Sequence, residues 1–246
     1  MIRLNIPGAL ILAQPQFRPD AHFVVLRWPP FTGTNLETMV RLASQSGLPY
    51  FNMTAVLEAE KESGRPNGDL LKLLRGKNPS PALVTEVAAT WLRDPTFAGG
   101  AILDALPNNR HEAVALAKIL KVTALIDLNA PNDDLVFRAT EDRQCPVCQA
   151  VYQWRRPPAT RALMCTTPAC LCILGLADPI TPPATRVAKF RERAAELAAY
   201  YAGTGVPHIT LPAGNLVDEE AMLELLVAAV KARPVKPAVP DDGGNT

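Results

Sequence analysis

A chain of 246 residues that is 48 % apolar and 20 % charged can bury a full core, and a single main domain carrying an insertion is the simplest organisation for it. Its 25 Lys plus Arg against 24 Asp plus Glu leave a net charge of +1, so it lacks the electrostatic footprint of a nucleic-acid binder or of a protein held on an anionic membrane. The apolar run Ala9 to Ala13 is too short for a secretory core or a membrane span, and the expected location is cytoplasmic. Residues 1–21 contain Pro7, Pro15 and Pro19 without periodicity and read as an extension preceding the fold. Phe23-Val24-Val25-Leu26, running into Pro29-Pro30, predicts a buried parallel strand followed by a loop. Leu36, Met39, Val40 and Ala43 recur at helical spacing, with Gly47 as the stop. Ala101 to Leu103 and Ala124 to Leu128 predict two further strands separated by a helix over Glu112 to Leu120, which implies a parallel sheet. A long helix is expected over Arg186 to Tyr201, a strand over His208 to Leu211 and a closing helix over Glu219 to Lys231. Residues 233–246, rich in Pro, Asp and Gly, read as a disordered tail.

All five cysteines fall between Cys145 and Cys172. Cys145-Pro-Val-Cys148 is followed after sixteen residues by Cys165, and Cys170 and Cys172 are rival candidates for the fourth position. Two close pairs can close a tetrahedron of thiolates on one zinc ion, and such a site has no open position for water, so the metal would be structural. Packed reduced thiols and a redox pair are the competing readings.

Several segments in the same order then resemble the adenylate kinase family, from about Val24 to Ala232. Leu42-Ala43 followed by Gly47-Leu48-Pro49 looks like the end of its first helix, and Gly76 to Leu83 like the end of its nucleoside-monophosphate-binding insertion. Gly100-Ala-Ile-Leu-Asp104-Ala-Leu-Pro107 is similar to the strand ending in Asp-Gly-Phe-Pro-Arg. Arg138, Arg143-Gln-Cys145-Pro-Val-Cys148, Tyr152 and Pro157-Pro158 resemble the zinc-bearing lid. Arg186, Phe190 and Tyr200-Tyr201 match the spacing of the long helix behind it. The resemblance implies an α/β fold: a P-loop-type parallel sheet flanked by helices, with the insertion at about 51–80 and a zinc-ribbon lid at about 138–178 inside a domain spanning 22–232. It also implies ATP and AMP as substrates, structural zinc on Cys145, Cys148, Cys165 and Cys170 or Cys172, and magnesium with the nucleotide.

The cations that this chemistry needs are mostly missing. Phosphoryl transfer asks a protein for positioning and for stabilisation of negative charge, and little else. In Trp28-Pro29-Pro30-Phe31-Thr32-Gly33-Thr34-Asn35 the position of the phosphate-loop lysine falls on Thr34 or Asn35, and the first lysine of the chain is Lys61. The resemblance places Glu58, Asn108, Asp142 and Gly175 where the family has arginines, and Ala177 opposite Asp178 where it has paired aspartates. It retains Arg138, which would stack on adenine, Arg186, a phosphate clamp, and Asp104, which would orient a magnesium water. With Gly33 and Thr34 these form the residual nucleotide-binding set, and no residue is assigned as catalytic. Arg110, Arg155 and Arg156 are candidate replacement cations. The expectation is a pseudoenzyme that binds adenine nucleotide weakly or not at all and serves a binding or scaffolding role, with a protein as its partner. A divergent, active nucleoside monophosphate kinase is the alternative.

Overall fold

The computed structural model describes residues 15–32, 36–62, 79–141, 143–145, 147, 151–152, 175–176, 182–213 and 219–232. Its centre is a five-stranded parallel sheet in the order β2-β3-β1-β4-β8. These strands are β1 (His22–Arg27), β2 (Tyr50–Asn52), β3 (Gly100–Asp104), β4 (Val122–Asn129) and β8 (His208–Pro212). The described helices are α1 (Leu36–Ser46), α2 (Met53–Glu62), α3 (Pro81–Trp91), α4 (Arg110–Leu116), α5 (Asn132–Glu141), α6 (Pro183–Gly203) and α7 (Glu219–Lys231).

The three central strands read as continuous apolar runs because helices cover both faces of the sheet. Alternate residues serve opposite layers. Phe23 and Val25 of β1, Leu103 of β3 and Leu125 of β4 pack with Leu83 and Val87 of α3, Leu116 of α4 and Leu197 of α6. Val24, Leu26, Ile102 and Ile126 pack on the other side with Met39 and Leu42 of α1 and Leu223, Leu226 and Val230 of α7. Gly100, at φ +116°, opens β3 so close to β1 that a Cβ there would lie 2.1 Å from the carbonyl oxygen of His22, so only glycine fits this register. Buried His22 is satisfied by the Val230 carbonyl at 2.8 Å and the Thr123 hydroxyl at 2.7 Å.

Three expectations change in detail. Residues 17–21, read as the end of an extension, pack on the core: the Phe17 ring meets Phe23 edge-on at 4.7 Å, and the Arg18 N–H donates to the Ala98 carbonyl at 2.8 Å. The helix expected over 112–120 runs from Arg110 to Leu116, because Asn109 caps it and residues 117–119 form a turn. The long helix extends to Pro183–Gly203, with Pro183 at its first turn where a missing N–H costs nothing.

A second, three-stranded antiparallel sheet has the order β6-β5-β7, with β5 (Arg143–Gln144), β6 (Val151–Tyr152) and β7 (Gly175–Leu176). Among the described residues no helix is long and apolar enough to cross a membrane.

Candidate functional site

An open parallel sheet leaves a ligand crevice beyond the carboxyl ends of its strands. Here a cleft of about 330 Å³ lies beyond β1 and β3 and under α6. Leu26, Arg27, Trp28 and Pro30 form one side, Asp104, Ala105, Pro107 and Asn108 another. The third is a stripe of α6 carrying Arg186, Lys189, Phe190 and Arg193 at helical spacing.

Asp104 ends β3 and is 4 % exposed. Its Oδ2 accepts from the Tyr50 hydroxyl at 2.5 Å and from the Asn52 side-chain amide at 2.6 Å. Burial pushes the Asp104 carboxyl above its ordinary range, and these two donors together with the backbone N–H of Ala105 oppose that shift. The Tyr50 hydroxyl is pushed up in turn, first by burial and then by the Asp104 carboxylate. One carboxylate oxygen is thus already committed to protein donors.

The loop to α4 is held by reciprocal capping. Asn109 Oδ1 accepts the Glu112 N–H at 2.9 Å, while Glu112 accepts the Asn108 N–H at 2.7 Å and the Asn109 amide at 2.8 Å. Glu112 is buried, which pushes its carboxyl up against the pull of those bonds and of Arg193.

Arg27 forms the floor. It meets Asp127 of β4 bidentately, at 2.6 Å from Nε and 2.5 Å from Nη2, and gives Nη1 to the Ala194 carbonyl of α6 at 3.0 Å. His208 of β8 approaches the same carboxylate at 2.7 Å from the exposed side, so three adjacent strands meet in one cluster whose Arg27 end is buried. Its role is to join the sheet to α6.

In the loop after β1 the aromatic Phe31 stands next to α6. Phe31 sits at φ +70°, in the left-handed region that a β-carbon disfavours, and its ring lies 4.7 Å from the Arg186 guanidinium carbon. Phe31 is also partly buried against the core layer shared by α1 and α7.

The cleft therefore brings Asp104 and Arg186 together. Gly33, Thr34 and Asn35 lie outside the described residues, as do Asp142, Cys148, Cys165, Cys170, Cys172, Asp178 and the side chain of Arg138. Glu58 is exposed on α2 and Gly175 opens β7. Of the candidate replacement cations, Arg110 lines a different hollow with His111 and Tyr200, and Arg155 and Arg156 lie outside the described residues. Sequence reasoning missed Tyr50, Asn52, Lys189 and Arg193; the last two stand at helical spacing from Arg186, but that spacing alone does not distinguish a cleft wall from a solvated face. Cys145 follows β5, is buried, and its sulfur accepts the Val147 N–H at 3.4 Å.

No family model matches the chain. It is nevertheless similar to adenylate kinases along much of its length. It is 29 % identical to that of Symbiobacterium thermophilum over 58 % of this chain and 68 % of the relative. It is 26 % identical to that of Kosmotoga olearia over 74 % of this chain and 87 % of the relative. For that of Caldanaerobacter subterraneus the identity is 24 %, over 80 % of this chain and 91 % of the relative.

Proposed function

We propose that the chain, similar to adenylate kinases over much of its length, is a pseudoenzyme of that family, a protein that keeps the fold as a nucleotide-responsive binding or assembly module and has lost phosphoryl transfer. The observation that carries this reading is the loop after β1. No lysine precedes Lys61, and Phe31 stacks on Arg186 where an active site would direct that arginine at phosphate. Glu58 on α2 and Asn108 in the cleft replace two further arginines, so charge developing on a transferring phosphoryl group would meet little compensation. Losing one such donor costs about 3 kcal/mol of transition-state stabilisation. On this reading residues 51–80 are the former monophosphate insertion and 138–178 the lid.

Residual affinity for adenine nucleotide would come from Arg138 and Arg186. Structural zinc belongs to the same reading, held by Cys145, Cys148, Cys165 and Cys170 or Cys172; when bound it would fasten the small antiparallel sheet. The decisive assay incubates purified protein with magnesium ADP and follows its conversion to ATP and AMP. No conversion is expected, and turnover at about 1 per second or faster would establish the alternative, an active and divergent kinase. Metal analysis should find about one zinc per chain, and its absence with freely titratable native thiols would remove the lid metal from the proposal.

A further inference from the structure

Lys189 and Arg193 are cleft residues that neither the family's clamp set nor the proposed function uses. They follow Arg186 at i+3 and i+7, so the three cations share one stripe of α6 facing Asp104 and Asn108. Among the described residues neither Lys189 nor Arg193 forms an ion pair. The Arg193 Nε donates to the Lys189 carbonyl at 3.1 Å, which lays the guanidinium along the helix and leaves its terminal nitrogens without a partner among those residues.

The acids that could neutralise the stripe are engaged elsewhere. Glu112 lowers its own charge cost through Arg193 but is bonded to the Asn108 N–H and the Asn109 amide, and it makes no ion pair with the guanidinium. Asp104 is held by Tyr50 and Asn52, and Asp127 is spent on Arg27 and His208. Like charges along a helix face repel one another, and here they border a concave surface whose opposite wall has the short, neutral Asn108.

We infer that Lys189 and Arg193 form a relocated anion site that takes the phosphate of a small phosphomonoester, a nucleoside monophosphate being the size that suits the cleft. The positive charge absent from position 108 on one wall is supplied from the facing wall by α6. A single phosphate fits better than a polyphosphate: the cations all stand on one side, and Arg27 on the floor is already paired. Ammonium and guanidinium groups both suit phosphate oxygens, the guanidinium bidentately. The inference rests on the reading of the cleft as a nucleotide site, but not on the loss of catalysis.

The test is isothermal titration of the full chain at low salt with AMP, ribose 5-phosphate, inorganic phosphate and adenosine. AMP should bind, ribose 5-phosphate and phosphate should bind more weakly or compete with it, and adenosine should do neither. The Lys189→Ala/Arg193→Ala double variant should weaken AMP at least tenfold with unchanged circular dichroism, since both side chains are exposed and alanine favours helix. Arg193→Lys should recover part of the loss, and Arg110→Ala, in the separate hollow, should match wild type. Absence of AMP and phosphate binding at millimolar concentration would overturn the site. Wild-type AMP affinity in the double variant would overturn it too, even if Arg186→Ala abolished binding and so left the nucleotide reading standing. Conversely, wild-type turnover of ADP together with lost AMP affinity in the double variant would sink the pseudoenzyme and keep the site.

Discussion

Across the cleft, the loop after β1 presents Trp28 and Pro30, with Phe31 behind them against Arg186, whereas α6 presents Arg186, Lys189 and Arg193. The two walls depend on different physics. A phosphate loop works through backbone N–H groups that only particular dihedrals aim inward, so a proline or an aromatic ring removes several contacts at one step. A helix face needs no special backbone to carry a cation, and charge can drift along it by a turn without disturbing the fold. A change on the first wall therefore need not alter the second, and variants can separate the two.

The largest effect should come from the floor that joins both walls. Arg27 is 7 % and Asp127 15 % exposed by side chain, and removing one partner of such a pair strands the other. Arg27→Ala should cost about 3–5 kcal/mol of unfolding free energy, read from urea denaturation. Replacing both, as Arg27→Met with Asp127→Leu, should cost less than the single change, because no buried charge is left alone. Equal losses would mean that packing, and not the charge pair, dominates there.

Next in size is the support beneath Asp104. Tyr50→Phe removes one of its donors and leaves a buried carboxylate under-satisfied, at a cost of about 1–3 kcal/mol, with Asn52 still in place. Denaturation at neutral pH measures it. A loss below a few tenths of a kcal/mol would show that water replaces the hydroxyl.

Phe31→Gly sharpens the comparison most directly. Glycine removes a left-handed penalty of about 1–2 kcal/mol and forfeits a ring–guanidinium contact of about 0.5–1 kcal/mol plus the partial burial of the ring. Stability should stay within about 1 kcal/mol of wild type, given these opposing terms and the entropy cost of glycine. AMP affinity should rise a few-fold as Arg186 leaves the ring, with no kinase activity gained. Acquired turnover would show that the ring alone blocks catalysis.

The parallel sheet was legible because β1 and β3 are buried along their length and carry short apolar runs, and β4 carries Ala124-Leu125-Ile126 between Thr123 and Asp127. The three-residue strand β2, Tyr50–Asn52, has no such run, yet it brings both donors to Asp104. The boundary of α4 was misplaced because Asn109 and Glu112 cap each other, a pair outside the apolar pattern. Asp104 and Arg186 were legible through resemblance to a family. Lys189 and Arg193 were not, since cations on a long helix read as a solvated face until the opposite wall is known. The Arg27–Asp127–His208 cluster joins residues about 80 to 100 apart in sequence through strand order, which no local pattern encodes.

The smallest effect concerns pH and separates the acids of the cleft from its cations. Burial raises the Asp104 carboxyl above its ordinary value of 3.8 in spite of three donors, and Glu112 moves the same way from 4.5. The folded chain then holds these protons more tightly than the unfolded chain. Their contribution to stability is complete below the unfolded values and is lost as pH rises through the raised folded values. In the interval above about pH 4, wild-type stability should therefore fall with rising pH as far as these two groups govern it. Asp104→Asn keeps an acceptor for Tyr50 and Asn52 but cannot ionise, so its unfolding free energy should decline less steeply over the same interval. Glu112→Gln should flatten the profile independently, because Glu112 answers to the cap of α4 and to Arg193 instead of to β2. Urea midpoints taken from pH 4 to 7 read both slopes. An Asp104→Asn profile parallel to wild type would mean that the Tyr50 and Asn52 bonds outweigh burial, and the carboxylate would then stand ionised against the stripe of α6 throughout that range.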